Sequence, residues 1–140
     1  MPILFLSLIS LFLNATAQAK TLYIIGHKGS FDEALGNDYF ADYYLLKRKI
    51  TPVGEKVIPV NLPLSNPVRS QFSSAIFEHS PVALSEYWDR MSYRGIRPPL
   101  VQQSERAVIL FVSRVKGAIG YVSQKPENNP NIDILGEITL

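Results

Sequence analysis

Apolar and polar positions change period several times along this chain, and each change predicts an element. In residues 107–115 (AVILFVSRV), Val108, Ile109, Phe111, Val112 and Val115 recur at helical spacing and mark one buried face. Lys116-Gly117 breaks that helix, and residues 118–122 (AIGYV) read as a short strand. A helix that turns sharply into a glycine-bearing strand is the closing half of an α/β unit. Upstream, residues 21–25 (TLYII) form a β-rich run ended by the turn Gly26-His27-Lys28-Gly29. From Asp38, the residues Phe40, Tyr43, Tyr44 and Leu46 fall at roughly helical spacing. Asp38 and Asp42 lie toward the start of that helix and Lys47, Arg48 and Lys49 at its end, a polarity that suits the helix dipole. Pro52-Val53-Gly54 is a turn, and residues 56–60 (KVIPV) are a second strand. Pro59 cannot donate to a ladder, which places it at an edge or at the strand's end.

The second half is mostly helical. Asn66 is a cap and Pro67 suits the first helical position. Val68, Phe72, Ala75, Ile76 and Phe77 make the apolar stripe of that helix. Ser80-Pro81 repeats the start signal, followed by Val82, Leu84, Tyr87, Trp88 and Met91. Residues 92–100 (SYRGIRPPL) are irregular and basic, and Ser104 caps the helix at 107–115, with Glu105 in its first turn. Residues 126–131 are polar, and residues 132–135 add an edge strand or a tail. The order β-α-β-α-α-α-β predicts one three-layer α/β/α domain with three or four strands. Tyr23, Ile25, Val57, Val60, Ile119 and Tyr121 are expected in or beside the sheet. Phe72, Ile76, Leu84, Trp88, Ile109 and Val112 are expected to pack on it from the helices.

The start of the chain changes the picture. Residues 3–13 (ILFLSLISLFL) are an apolar run, followed by a short polar segment and Ala17-Gln18-Ala19. That is the pattern of a secretory signal peptide with an A-x-A cleavage site, and the run is too short to span a bilayer. Residues 1–19 are therefore read as a signal peptide and 20–140 as the domain, exported to the periplasm. The chain has no cysteine, so its fold depends on neither disulfides nor thiol chemistry. Fourteen basic and twelve acidic residues leave a net charge of +2, without the dense basic face that tracks nucleic acid.

Candidate chemistry is sparse. His27 and His79 lack a metal-ligand spacing, no G-x-S-x-G elbow occurs, and Gly26-x-x-Gly29 is neither a dinucleotide loop nor a P-loop. The chain reads as a non-enzyme with no cofactor or metal. The best anion candidate is residues 64–70 (LSNPVRS). Ser65, Asn66 and Ser70 lie at or near a helix start that follows a strand, where free amides favour an anion. Arg69 adds a guanidinium fork. His27 and Ser30 follow the first strand, and they join the same shell if that strand is parallel to the second. Tyr93, Arg94 and Arg97 form a second basic cluster, in a loop.

Taken in order, KVIPVNLPLSNPVRSQFSSAIF, YWDRMSYRGIRPPL and VKGAIGYVS resemble the phosphate ABC transporter substrate-binding family. The likeness spans residues 21–123 and is to short, single-lobe members with a type 2 periplasmic-binding-like domain. It implies one lobe of that fold and a site for phosphate or another small oxyanion. Where the family has Ser-Gly-Thr, this chain has Leu64-Ser65-Asn66-Pro67, and Ser65 and Arg69 are the nearest matches by position. The chain is too short for a complete second lobe, so tight capture of an ion would need a dimer or a partner. The competing expectation is a non-catalytic module that binds a periplasmic or membrane protein, with exposed aromatic residues around Tyr39, Tyr43 and Tyr93 as its contact face.

Overall fold

A computed structural model describes residues 20–31 and 35–140, and the signal peptide expected at residues 1–19 lies outside the described residues. In chain order the elements are β1 (Thr21–His27), α1 (Asn37–Tyr44), β2 (Ile58–Asn61), α2 (Pro67–Phe77), α3 (Ser85–Ser92), β3 (Leu100–Val101), α4 (Glu105–Arg114), β4 (Ala118–Val122) and β5 (Ile132–Thr139). The strands form one sheet in the order β3-β2-β4-β1-β5. β3, β2 and β4 are parallel to one another. β1 is antiparallel to both of its neighbours, β4 and β5. The carboxyl ends of β2, β3 and β4 therefore share one edge of the sheet, and β1 ends at the opposite, amino edge.

Helices cover both faces, as the alternation of elements requires. Tyr121 and Ile24 oppose each other and point to one face. There Phe72 of α2 stacks on Tyr121 with ring centroids 3.9 Å apart and planes 4° apart. Tyr44 of α1 packs against both rings, at 4.8 Å from Phe72 and 5.9 Å from Tyr121. All three rings are buried, and each contributes roughly 1.5–3 kcal/mol through burial alone. Gly120 and Ile25 belong to the other face. A Cβ on Gly120 would lie 2.6 Å from Val108 and 3.3 Å from Val112, so the absent side chain is what lets α4 approach. Gly117 has the same role for the backbone: its φ is +80°, and a Cβ there would lie 2.0 Å from the Lys56 carbonyl oxygen.

Local chemistry sets the helix ends. Asn66 Oδ1 accepts from Val68 N–H at 2.9 Å, with Pro67 at the first helical position. Ser104 Oγ accepts from Ala107 N–H at 3.1 Å. Both caps are those the sequence predicts. α1 is shorter than expected and stops at Tyr44. Leu46 takes a φ of +55°, and Lys47 N–H turns back to Asp42 O at 2.9 Å. The chain must leave the helix there because buried Tyr43 and Tyr44 anchor it while the next segment turns toward β2.

Several expectations need correction. The sheet has five strands, because the two-residue β3 carries no readable period and β5 continues past Gly136. A glycine sits at 136 because the Phe40 ring lies 3.1 Å from where its Cβ would be. A register shift between Ile24 and Ile25 accommodates the extra residue of β5. Tyr23 lies in β1 and Ile76 and Ile109 pack against the core as expected, but Leu84 and Trp88 are only partly buried and line a cavity instead, whereas Tyr43, expected on a contact face, is fully buried. Tyr93 is 93 % exposed, as expected, and Tyr39 is exposed beneath the Arg48 guanidinium at 4.4 Å.

Candidate functional site

The carboxyl edge of β2 is built on a small polar network. Tyr121 donates its hydroxyl hydrogen to Asn61 Oδ1 at 2.9 Å, and Leu62 N–H donates to Tyr121 Oη at 3.2 Å. Tyr44 Oη donates to Val60 O at 2.8 Å. Burial raises both phenols above their usual range, Tyr44 most strongly, so they stay neutral and act as struts. They fix residues 60–62, and with them the loop into α2.

Arg69 lies one turn into α2 and folds back over this loop. Its Nη1 donates to Leu62 O at 3.1 Å. The guanidinium is half-buried, and desolvation lowers its pKa from the ordinary arginine value while leaving it charged. No carboxylate lies within ion-pair distance of it among the described residues. Beneath it is a cavity of about 20 Å³ bounded by Asn61, Arg69, Phe72, Leu84 and Trp88. That volume holds one water and no tetrahedral oxyanion, so a ligand at this edge would sit above the cavity.

Ser65 and Ser70 are exposed beside Arg69, and Asn66 is half-buried. These four residues are brought together on one loop and helix start. The amides are less open than the sequence suggests. Pro67 has no N–H, Val68 N–H is held by Asn66 Oδ1, and Arg69 N–H donates to Asn66 O at 3.1 Å. The expectation of unpaired helix-start amides is thus corrected, because the Asn66 cap satisfies them.

His27 and Ser30 are not part of this group. β1 runs antiparallel to β4, which is parallel to β2, so both residues emerge at the amino edge. The condition for their joining the shell fails. His27 Nδ1 bonds Val112 O at 2.8 Å, satisfying a carbonyl in the last turn of α4. Ser30 is buried, donates to the Glu55 carboxylate and accepts from Gly117 N–H at 3.0 Å. Arg94 and Arg97 precede β3 and are exposed, and neither side chain hydrogen-bonds to residues 65–70 among the described residues.

Sequence reasoning missed Asn61, Tyr121 and Glu105 as builders of this edge. Glu105 accepts from both the backbone N–H and the hydroxyl of Ser123, tying the start of α4 to the end of β4. Its place in a first helical turn pointed only to the dipole. Among the described residues, no group of three or more His, Cys, Asp or Glu side chains is placed to hold a metal.

No family model matches the sequence. No curated protein matches it either. Solved structures do match in fold. A protein assigned as a phosphate ABC transporter substrate-binding protein from Clostridium perfringens, solved with bound phosphate, aligns with a TM-score of 0.63 at 15% identity. An ABC-type phosphate transport receptor from Vibrio cholerae aligns at 0.61 with 14% identity. The alignments cover 83% of this chain, and 45% and 46% of those chains. PstS from Borrelia burgdorferi aligns at 0.55 with 14% identity, over 74% of this chain and 41% of that one. The chain thus has the α/β fold of one lobe of such binding proteins, and it spans less than half the length of the structures it matches.

Proposed function

We propose that the protein is an exported binding component that holds a small oxyanion, with phosphate the first candidate, at the carboxyl edge of β2. The observation that carries the proposal is the Arg69 guanidinium: half-buried, charged, with one carbonyl acceptor and no carboxylate partner among the described residues. A desolvated cation without a counter-ion gains most from an anion. Arg69 supplies the charge, the Ser65 and Ser70 hydroxyls donate to oxygens, and Asn66 contributes its side-chain amide. The position agrees with the general placement of ligands outside the carboxyl ends of parallel strands. The likeness in fold to phosphate-binding proteins supports the ligand class, a non-catalytic role and a periplasmic site of action. Because one lobe offers one wall, a second body facing this edge completes the enclosure.

A second reading rests on the Asn66 cap. It satisfies the helix-start amides internally, as expected of a lobe kept as an interaction module after ligand binding was lost. Isothermal titration of the protein with phosphate at low and moderate salt separates the two. Saturable heat that falls at least tenfold in affinity in Arg69→Ala supports the oxyanion site. Absence of saturable heat at millimolar phosphate removes it and leaves the module. Binding unchanged by R69A moves the site elsewhere.

A further inference from the structure

The amino edge carries a different surface. Between α1 and β2 the chain forms a tight hairpin in which Ile50 pairs with Lys56. Thr51 N–H donates to Glu55 O at 2.7 Å and Gly54 N–H to Thr51 O at 2.9 Å. The buried Thr51 hydroxyl accepts from Glu55 N–H at 3.1 Å, and the Glu55 carboxylate accepts from Ser30. The turn is therefore held from inside by four hydrogen bonds. Its two branched apolar side chains nevertheless face outward: Ile50 is 56 % exposed and Val53 58 %. Single exposed apolar residues need no explanation; here Val53 at the tip and Ile50 at the base of one braced turn are exposed together.

The surroundings indicate its charge. Lys49 and Lys56 flank the tip and are exposed. Lys116 adjoins Gly117, whose carbonyl accepts from Ile58 N–H at 2.9 Å, so its backbone lies beside the base of the hairpin. Arg114 ends α4, whose last turn reaches this edge through the Val112–His27 bond. Lys116 and Arg114 are also exposed, and none of the four cations forms an ion pair among the described residues. Glu55, the acid beside them in sequence, faces inward to Ser30.

We propose that this tip docks on an anionic lipid bilayer. Ile50 and Val53 enter the boundary between headgroups and acyl chains, and Lys49, Lys56, Arg114 and Lys116 meet the lipid headgroups. Shallow apolar insertion inside a basic collar is the combination that peripheral attachment to anionic membranes requires. A bilayer fits better than an acidic protein, because the tip offers no aromatic or arginine anchor at its apolar centre and only two apolar side chains. The four residues of β2 separate the tip from the loop before α2 by roughly 13 Å, so docking leaves the Arg69 edge turned away from the membrane.

The test is co-flotation with vesicles of phosphatidylcholine alone and of phosphatidylcholine with an equal part of phosphatidylglycerol. It uses protein beginning at Lys20, which keeps all the described strands and helices, because the apolar run at residues 3–13 would itself partition into lipid. Binding only to the anionic vesicles, weakening as salt rises, is the expected result. Each reversed lysine in Lys49→Glu with Lys56→Glu should weaken it by at least about fivefold, the loss expected from removing one positive charge alone. Ile50→Ser with Val53→Ser should weaken it at least several-fold without shifting the thermal melt, since both side chains are exposed. Equal binding to neutral vesicles, no binding to anionic vesicles at low salt, or wild-type binding by the lysine variant would overturn the proposal. So would capture by immobilised polyglutamate that survives the Ile50/Val53 change while anionic vesicles are ignored; that outcome would assign the surface to an acidic protein.

Discussion

The two ends of the parallel strands dispose of their polar groups in opposite ways. At the amino edge, Ser30, Glu55, Thr51 and the Gly117 amide satisfy one another, and His27 closes a helix carbonyl. At the carboxyl edge the phenols, Asn61 and Glu105 are equally well paired, yet Arg69 keeps a charge that no described carboxylate balances. Interior groups that satisfy one another in this way are scaffold, whatever their residue types, and leave the exposed Lys49, Lys56, Arg114 and Lys116 of that edge free to meet a partner. His27 and Ser30 have chemistry suited to a ligand, but their partners are already inside the fold. The proposed oxyanion site therefore rests on an unmatched group, Arg69, rather than on a reactive one.

The largest way to break this comparison is to remove the support the carboxyl edge stands on. Phe72→Ala should cost about 3–5 kcal/mol, because Phe72 is buried and stacked on Tyr121. It should also weaken any anion binding, since Tyr121 holds the Leu62 amide and Asn61. Chemical denaturation and titration on the same preparation check both effects. Gly117→Ala attacks the opposite edge. A side chain there meets the Lys56 carbonyl at a positive φ, so a loss of about 3 kcal/mol is expected. Phosphate affinity of the folded fraction should stay the same. If G117A and F72A changed affinity equally, the two edges would not be separable.

The smallest effect concerns Asp133, which accepts from Lys28 Nζ and Gly29 N–H at 2.9 Å each. Partial desolvation pushes its carboxyl up. The Gly29 and Lys28 hydrogen bonds, with the Lys28 and His27 charges, outweigh that and hold it below the usual carboxylate range. A depressed folded-state value means the contribution is full above the unfolded pKa and is lost as pH falls through the folded one. Stability should therefore decline on the acid side of about pH 4, and Asp133→Asn should flatten that limb. An acid limb of equal slope in the variant would show that other carboxylates set it.

Much of the fold was legible because its signals are local. The Asn66-Pro67 and Ser104 starts, the Lys116-Gly117 break and the alternation of strand and helix all depend on a few neighbouring residues. What escaped depends on distant ones. β3 is two residues long and exists because Val60 and Asn61 offer it a ladder. Trp88 looks like core by its spacing, but it only closes a cavity wall. The direction of β1 is invisible to periodicity, and it alone decides that His27 and Ser30 leave the site. Residues 64–70 were found as a cluster because they are contiguous, whereas Asn61, Tyr121 and Glu105 meet the edge only through tertiary contact.

The position of β1 also governs the order of assembly. It is the earliest of the five described strands, yet its partners are the two latest, beginning at Ala118 and Ile132. While the ribosome is still adding residues, Leu22, Ile24 and Ile25 have no ladder to join, and the centre of the sheet stays open. Pairings so far apart in sequence close slowly, because the intervening chain must first be ordered. The sheet therefore cannot close around β1 until the residues of β4 and β5 have been made.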